Sequence, residues 1–421
     1  MLPEPTITLS IPSINDGTLL DCRIYHPLSL AANPEAPTWL KHAAVVAHPY
    51  APMGGCYDDP VVGAAAAQLL RKGFLVATFN FRCRGAHGSA GRTSWTSKPE
   101  RDDYATVVAF VLHYVHYLDP FKPHLESVLQ SEPSTPTSSD IPISLDTAIA
   151  SVPRVRPVLL MAGYSYGGFV TSRIPPLDAI LQPFISPIAG SDAAEVRLRA
   201  EHLAEQQNVI LSSTRSAMME GSARGRSKRG VRIGGDESGS RSPRRSTSSA
   251  RRSFSLDDER FRRGVHDFIA KARVGRHSRN VSQTSPPKVP EEPQPGESLP
   301  RITDLTMPRP AYLMISPPQG IVMHALSMSI LPSAFTKNKD PHDSAAEEKL
   351  IRNPSLMIFG DEDGFTAVSR FRALAARLHE KKDSGFRGVE IETAGHFWIE
   401  PGVLNQMRDV VGRFAIEVLA G

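Results

Sequence analysis

The chain has 421 residues, 40% of them hydrophobic and 22% charged, with a formal net charge of +4. That apolar content supports a sizeable core and excludes wholesale disorder, and no run approaches the roughly 18 consecutive apolar residues of a membrane helix. Three cysteines, Cys22, Cys56 and Cys83, are too few and too scattered for a disulfide scaffold or a zinc cluster. The opening MLPEPTITLSIP has no basic stretch leading into an apolar one, so the expectation is a cytoplasmic protein with no secretory signal and no transmembrane segment.

In chain order, ITLSIP and LLDCRIYHP are short, partly alternating runs divided by Asn15-Asp16-Gly17, which predicts an antiparallel hairpin. Continuous apolar runs follow at Ala43–Ala47, Phe74–Phe79, Val158–Ala162, Ala311–Ile315, Leu356–Phe359 and Val389–Ile391. Continuous rather than alternating runs suit strands buried on both faces of a parallel sheet. Helical patterns such as VVGAAAAQLLRKG and DDYATVVAFVLHYVHYL lie between them. The fold class predicted is α/β, a mostly parallel, doubly wound sheet opened by an antiparallel hairpin. The run Ser131–Asp140 reads as an enlarged surface loop.

One stretch breaks this alternation. From Arg215 to Pro300 there are 19 Lys and Arg against 10 Asp and Glu, a net of +9 that leaves the remainder at −5. Arg, Ser, Gly and Pro dominate it, so most of it is expected to be disordered, apart from a short helix signalled by Phe261, Val265, Phe268 and Ile269. The chain is therefore read as one catalytic domain, residues 1–207 and 305–421, split by a basic insert over 208–304. Stacking aromatics are nearly absent from the insert, which argues against a specific nucleic-acid platform. Arginines precede Ser253, Ser255 and Ser282, so these are candidate phosphorylation sites, with a kinase or phospho-binding protein as the partner implied.

The chemistry concentrates around Gly163-Tyr164-Ser165-Tyr166-Gly167-Gly168, directly after the apolar run PVLLMA. G-x-S-x-G between a strand and a helix is the nucleophile-elbow pattern, in which only small residues fit beside the serine and its Oγ projects from the strand end. A serine hydroxyl needs a base to take its proton, and the base needs an acid to orient it. Asp363 stands just past the strand in SLMIFGDEDGF, with Asp361 and Glu362 as nearby rivals, and His396 lies in the loop of GVEIETAGHFWIEP. The order Ser165, Asp363, His396 is that of nucleophile, acid and base in an α/β-hydrolase. Acyl transfer also needs two N–H donors for an oxyanion; the amide of Tyr166 and that of Tyr50, in the loop His48-Pro49-Tyr50-Ala51-Pro52-Met53-Gly54-Gly55, are the candidates. His48, Gly54, Gly55 and Arg84 are expected to shape the pocket loops, while Arg82 reads as a structural ion-pair residue.

Together, HPYAPMGG, FNFRCRG, GYSYGG, GDEDGF and AGHFW resemble the motifs of the compact, lidless α/β-hydrolases, over about Thr6–Ile180 and Ala311–Phe414. Tyr50 stands where such proteins usually carry His, FRCRG has extra residues before its glycine, and the long insert looks like a fungal version. The resemblance implies the fold and the triad; with no dinucleotide or metal motif in the chain, the reading is a serine hydrolase without a cofactor or metal, acting on a small-molecule acyl ester or thioester. A non-catalytic scaffold that binds partners through its insert and a serine peptidase are the alternatives. Ser165 argues against the dehalogenases and epoxide hydrolases, which carry Asp at the elbow, and against dienelactone hydrolases, which carry Cys.

Overall fold

The hairpin forms where the turn residues place it. Strands β1 (Ile7–Pro12) and β2 (Leu19–Tyr25) pair antiparallel, with Ile7 opposite Ile24 and Pro12 opposite Leu19. Asp16 accepts the Thr18 N–H at 3.2 Å, and Gly17 takes a φ of +70° that other residues adopt only with strain. The computed structural model describes residues 1–33, 35–83, 91–94, 97–121, 156–227, 254–255, 297–305, 307–319 and 341–421, the side chains of 221–227, 254–255 and 341–344 excepted.

The apolar runs become β3 (Ala43–Ala47), β4 (Leu75–Phe79), β5 (Val158–Tyr164), β7 (Arg309–Ile315), β8 (Ser355–Gly360) and β9 (Phe386–Ile391); a two-residue β6 (Phe254–Ser255) lies inside the insert. The sheet order is β6-β1-β2-β4-β3-β5-β7-β8-β9. β2 meets β4 antiparallel, every pair from β4 through β9 is parallel, and β6 pairs in parallel with the edge strand β1. This is the mostly parallel, doubly wound α/β sheet opened by an antiparallel hairpin that the alternation of runs predicts.

Both faces of the sheet are covered. Ala44, Val46, Leu160, Ala162, Leu313 and Ile358 point to the layer formed by helices α1 (Pro60–Arg71) and α8 (Val403–Ala420). Their neighbours Val45, Ala47, Met161, Tyr312 and Met357 join the opposite cluster. That layer contains α2 (Lys98–Tyr117), α3 (Tyr166–Arg173), α4 (Leu177–Ile185), α5 (Asp192–Ser227), α6 (Pro341–Arg352) and α7 (Val368–His379). Alternation is present in the packing but invisible in hydropathy, because each face has its own helices to bury.

Arg82 has the structural role read for it. Its guanidinium reaches Asp103 (2.6 Å and 2.9 Å), Asp16 (2.7 Å) and Ser13 (3.1 Å), tying the hairpin turn to the end of β4 and to α2. Burial alone would raise the Asp16 carboxyl, yet its hydrogen bond to Arg82 holds it at about 2. Asp103 is so enclosed that burial pushes its carboxyl up despite the same partner.

Composition places the start of the insert at residue 208, but α5 runs through that point to Ser227. Ala194, Val196, Ala200, Leu203 and Ala204 bury one stripe of it. Asn208 then caps the end of α2, accepting the Asp119 N–H and donating to the Tyr117 carbonyl, each at 2.8 Å. At the far end, the Ala189 N–H donates to the Glu297 carbonyl and the Leu299 N–H to that of Pro187, both at 2.8 Å. The helix expected near Phe261–Ile269 and the loop at Ser131–Asp140 lie outside the described residues, as do Ser253 and Ser282, whereas Ser255 falls in β6. Among the described residues no helix is long and apolar enough to cross a membrane.

Candidate active site

At the C-terminal end of β5 the chain turns directly into α3 at Ser165, whose φ of 51° and ψ of −119° lie in a region that a non-glycine residue enters only under constraint. The constraint comes from both neighbours. A Cβ added to Gly163 would lie 2.2 Å from the Gly167 carbonyl carbon, and one added to Gly167 would lie 2.6 Å from the carbonyl oxygens of Ala47 and His48. The elbow can therefore close only with glycine at both positions. The Ser165 N–H is pinned to the Ile315 carbonyl of β7 at 2.8 Å.

The three residues predicted to act together are brought together. Ser165 Oγ lies 2.8 Å from His396 Nε2, and His396 Nδ1 lies 2.8 Å from Asp363 Oδ2. All three are buried, with Ser165 8% exposed. The other Asp363 oxygen accepts the N–H groups of Phe365 (2.8 Å) and Thr366 (3.0 Å), which holds the carboxylate toward the imidazole. With the carboxylate accepting from Nδ1–H, Nε2 is left as the acceptor for the serine proton. Of the rival acids, Glu362 is exposed and Asp361 has its own orphaned oxygen, so neither occupies that place.

Two contacts hold the His396 loop. The Tyr164 hydroxyl donates to the His396 carbonyl at 2.8 Å, and the Glu362 N–H donates to the Ala394 carbonyl at 3.1 Å. Gly360 permits the second: a Cβ there would come within 1.9 Å of the Ala394 oxygen. Behind α3, the buried Lys349 donates from Nζ to the Thr171 carbonyl at 2.9 Å and to that of Ile174, occupying acceptors at the helix C-terminus. Burial pulls its ammonium well below the ordinary lysine range.

The loop after β3 faces the elbow. Tyr50 opens a single 3₁₀ turn, Ala51–Met53, and its carbonyl accepts from Met53 (3.1 Å) and Gly55 (3.2 Å). Gly54 takes φ +89°, and a Cβ on Gly55 would lie 2.5 Å from the Pro49 oxygen, so the tight return needs both glycines. The Tyr50 ring meets that of Tyr166 edge-on at 5.2 Å, and Phe81 meets Tyr166 at 5.9 Å. Burial pushes both phenols up, with the Glu100 carboxylate adding to it, so both are neutral at physiological pH. His48 stands apart from the triad. Its Nε2 accepts the Phe81 N–H at 2.8 Å and its Nδ1 donates to the Pro49 carbonyl at 2.5 Å, joining the loops after β3 and β4. Arg84 lies outside the described residues.

Sequence reading missed Tyr164, Phe365 and Phe397. The first sits inside the elbow motif and the other two lie close beside triad members, Phe365 two residues after Asp363 and Phe397 next to His396. Proximity to a candidate catalytic residue is the available signal.

No protein-family model and no curated protein matches this chain. Among solved structures it is similar to an α/β serine hydrolase without a lid from Xanthomonas campestris, at 14% identity over 100% of this chain and 98% of that one, with a TM-score of 0.42. It is also similar to an α/β serine hydrolase homologue from Coxiella burnetii, at 11% identity over 98% and 99% of the two chains and a TM-score of 0.38. An esterase from Pyrococcus furiosus matches at 11% identity over 97% and 89%, again with a TM-score of 0.38. At these scores the fold assignment stands on the strand order and on the elbow between β5 and α3.

Proposed function

We propose that this protein is a serine hydrolase that cleaves a carboxylic ester or thioester of a small molecule through an acyl-Ser165 intermediate. The observation that carries the reading is the unbroken chain of hydrogen bonds from Ser165 through His396 to Asp363, at 2.8 Å for each link. In the first half-reaction His396 Nε2 takes the Ser165 proton as Oγ attacks the acyl carbon, and then gives that proton to the departing alcohol or thiol. Asp363 keeps the proton on Nδ1 and stabilises the imidazolium. In the second half-reaction water takes the place of Ser165 as the proton donor and the acid is released.

The negative charge that develops on the acyl oxygen is assigned to the amides of Tyr166 and Tyr50. Tyr166 is the first residue of α3, where N–H groups have no partner within the helix and the helix dipole favours an anion. The proposed organisation is a single catalytic unit, residues 1–207 and 305–421, interrupted by the insert 208–304, whose part beyond the end of α5 is a tether on which Ser253, Ser255 and Ser282 receive phosphate.

The test is labelling by a fluorophosphonate probe. Wild type is expected to label, and Ser165→Ala and His396→Ala are expected to lose labelling while keeping their thermal melts. A well-folded wild type that does not label refutes the enzyme reading and leaves the scaffold alternative, in which the insert is the working part.

A further inference from the structure

The side of the site from which the alcohol or thiol departs is set by one atom. On the hydrolase reading, the departing heteroatom must come within hydrogen-bond reach of His396 Nε2, because that nitrogen returns the proton taken from Ser165. The remainder of the departing group therefore lies over the His396 side of Ser165, away from Tyr166 and the start of α3.

That side is aromatic. The Phe365 ring centroid lies 4.4 Å from that of His396, the Phe397 centroid lies 5.6 Å from it, and the two phenylalanines stand at 84° to each other, 5.6 Å apart. Phe397 is 57% exposed and Ile399, two residues on, is 81% exposed, so apolar surface there is left open beside the reacting centre. The backbones that carry these rings are held beside Ser165, one by Asp363 and one by Tyr164. The Phe365 N–H is bonded to Asp363, and Phe397 follows the residue whose carbonyl is held by Tyr164.

Charge points the same way. The acid loop, residues 361–367, and the base loop, residues 392–402, carry Asp361, Glu362, Asp363, Glu392 and Glu400 but neither lysine nor arginine. Glu362 and Glu392 are exposed. A leaving group bearing phosphates or a carboxylate would meet carboxylates with no cation in either loop to receive it.

We propose that the substrate is an ester of an uncharged apolar alcohol, of about benzyl size, seated on Phe365 and Phe397. Ser165 Oγ adds to the acyl carbon, and the tetrahedral adduct then breaks its bond to the alcohol oxygen. The serine proton passes through His396 Nε2 to that oxygen, and the alcohol leaves neutral. Water then adds its hydroxyl to the acyl carbon and returns a proton to Ser165, so no further reactant is needed.

The experiment compares acetates, whose acyl part is the smallest, of benzyl alcohol, methanol and 4-carboxybenzyl alcohol. The benzyl and methyl alcohols depart with similar intrinsic ease, so their ratio of kcat/KM reads the seat rather than the chemistry. A benzyl-to-methyl ratio of about 10 or more is expected in wild type, with the carboxybenzyl ester slower than benzyl. Phe397→Ala should reduce that ratio about tenfold and Phe397→Leu by less. Using a ratio within one enzyme cancels any general damage to the triad. A wild-type ratio near one, a ratio unmoved in Phe397→Ala, or a carboxybenzyl ester faster than benzyl overturns the proposal. Fluorophosphonate labelling of the same preparations separates the two failures: labelling with a flat ratio sinks the seat and leaves the hydrolase, and absent labelling sinks the hydrolase itself.

Discussion

Replacing Gly167 by alanine puts a methyl carbon 2.6 Å from two backbone oxygens, those of Ala47 and His48, at the end of β3. Ordinary contact begins at 3.4 Å, so α3 and β3 must separate by about 0.8 Å. Neither partner is a side chain that could swing aside. Forcing such a separation into packed backbone costs about 1–3 kcal/mol. It also moves Ser165 and the Tyr166 amide relative to the Tyr50 loop, and a misplacement of that order costs about 10²-fold in rate. The control is Gly63→Ala in the first turn of α1, where an added Cβ meets nothing within 4 Å. There the loss of backbone freedom in the unfolded chain should stabilise by about 0.5–1 kcal/mol. Urea melts and fluorophosphonate labelling rates on both variants read the two effects separately. Gly167→Ala labelling within twofold of wild type with an unchanged melt would refute the close-approach argument for the elbow.

Two further substitutions test how the site and its scaffold are held. Burial lowers His113 to about 4, so the folded state keeps it neutral while the unfolded chain takes up a proton below about 6.5. Its contribution is intact above pH 6.5 and is lost as pH falls through 4, amounting to about 2 kcal/mol by pH 5. His113→Gln retains a donor for the Ala109 carbonyl, which His113 Nδ1 meets at 2.7 Å, but does not titrate. The loss of stability between pH 7 and 5 should be about 2 kcal/mol smaller in the variant, and identical losses in urea would count against the assignment. Tyr164→Phe deletes the donor to the His396 carbonyl; it should destabilise by about 1 kcal/mol and lower kcat about tenfold with KM little changed. An unaltered kcat in a folded variant would show that this hydrogen bond does not position the base.

The parts of the site legible in the sequence are those fixed by local rules. G-x-S-x-G announces itself because the strand-to-helix turn at Ser165 is local and brings Gly163 against Gly167, although the demand on Gly167 itself comes from Ala47 and His48 on β3, and Asp363 and His396 each follow a strand whose apolar run marks its end. The sheet was legible for a similar reason, since strands covered on both faces write continuous apolar runs. What hydropathy hides is any role that depends on a distant partner. His48 reads as a candidate pocket residue, yet both its nitrogens are used within the scaffold, one on Phe81, 33 positions away. Tyr164 reads as the variable residue of a motif, but its hydroxyl reaches across 232 positions to the His396 loop. The continuation of α5 past residue 207 is hidden for a related reason: Asn208 holds its place by capping α2, a contact with a distant partner that composition cannot express.

Phe365 and Phe397 belong to a third kind. Their neighbours in sequence identify them as close to the triad, and hydropathy alone would bury them. Only the fold shows that one ring is half-buried and the other 57% exposed. An apolar ring held open on the His396 loop has two physical outlets, burial by another protein surface or burial by substrate. Nε2 of His396 decides between them for the hydrolase reading, because a proton must be handed to the departing alcohol at that atom on every turnover, and whatever is attached to its oxygen is then carried onto the two rings. The benzyl-to-methyl ratio thus measures the same geometry that the Ser165–His396 hydrogen bond defines, and a flat ratio would leave the uncovered Phe397 to be explained by a surface that docks there.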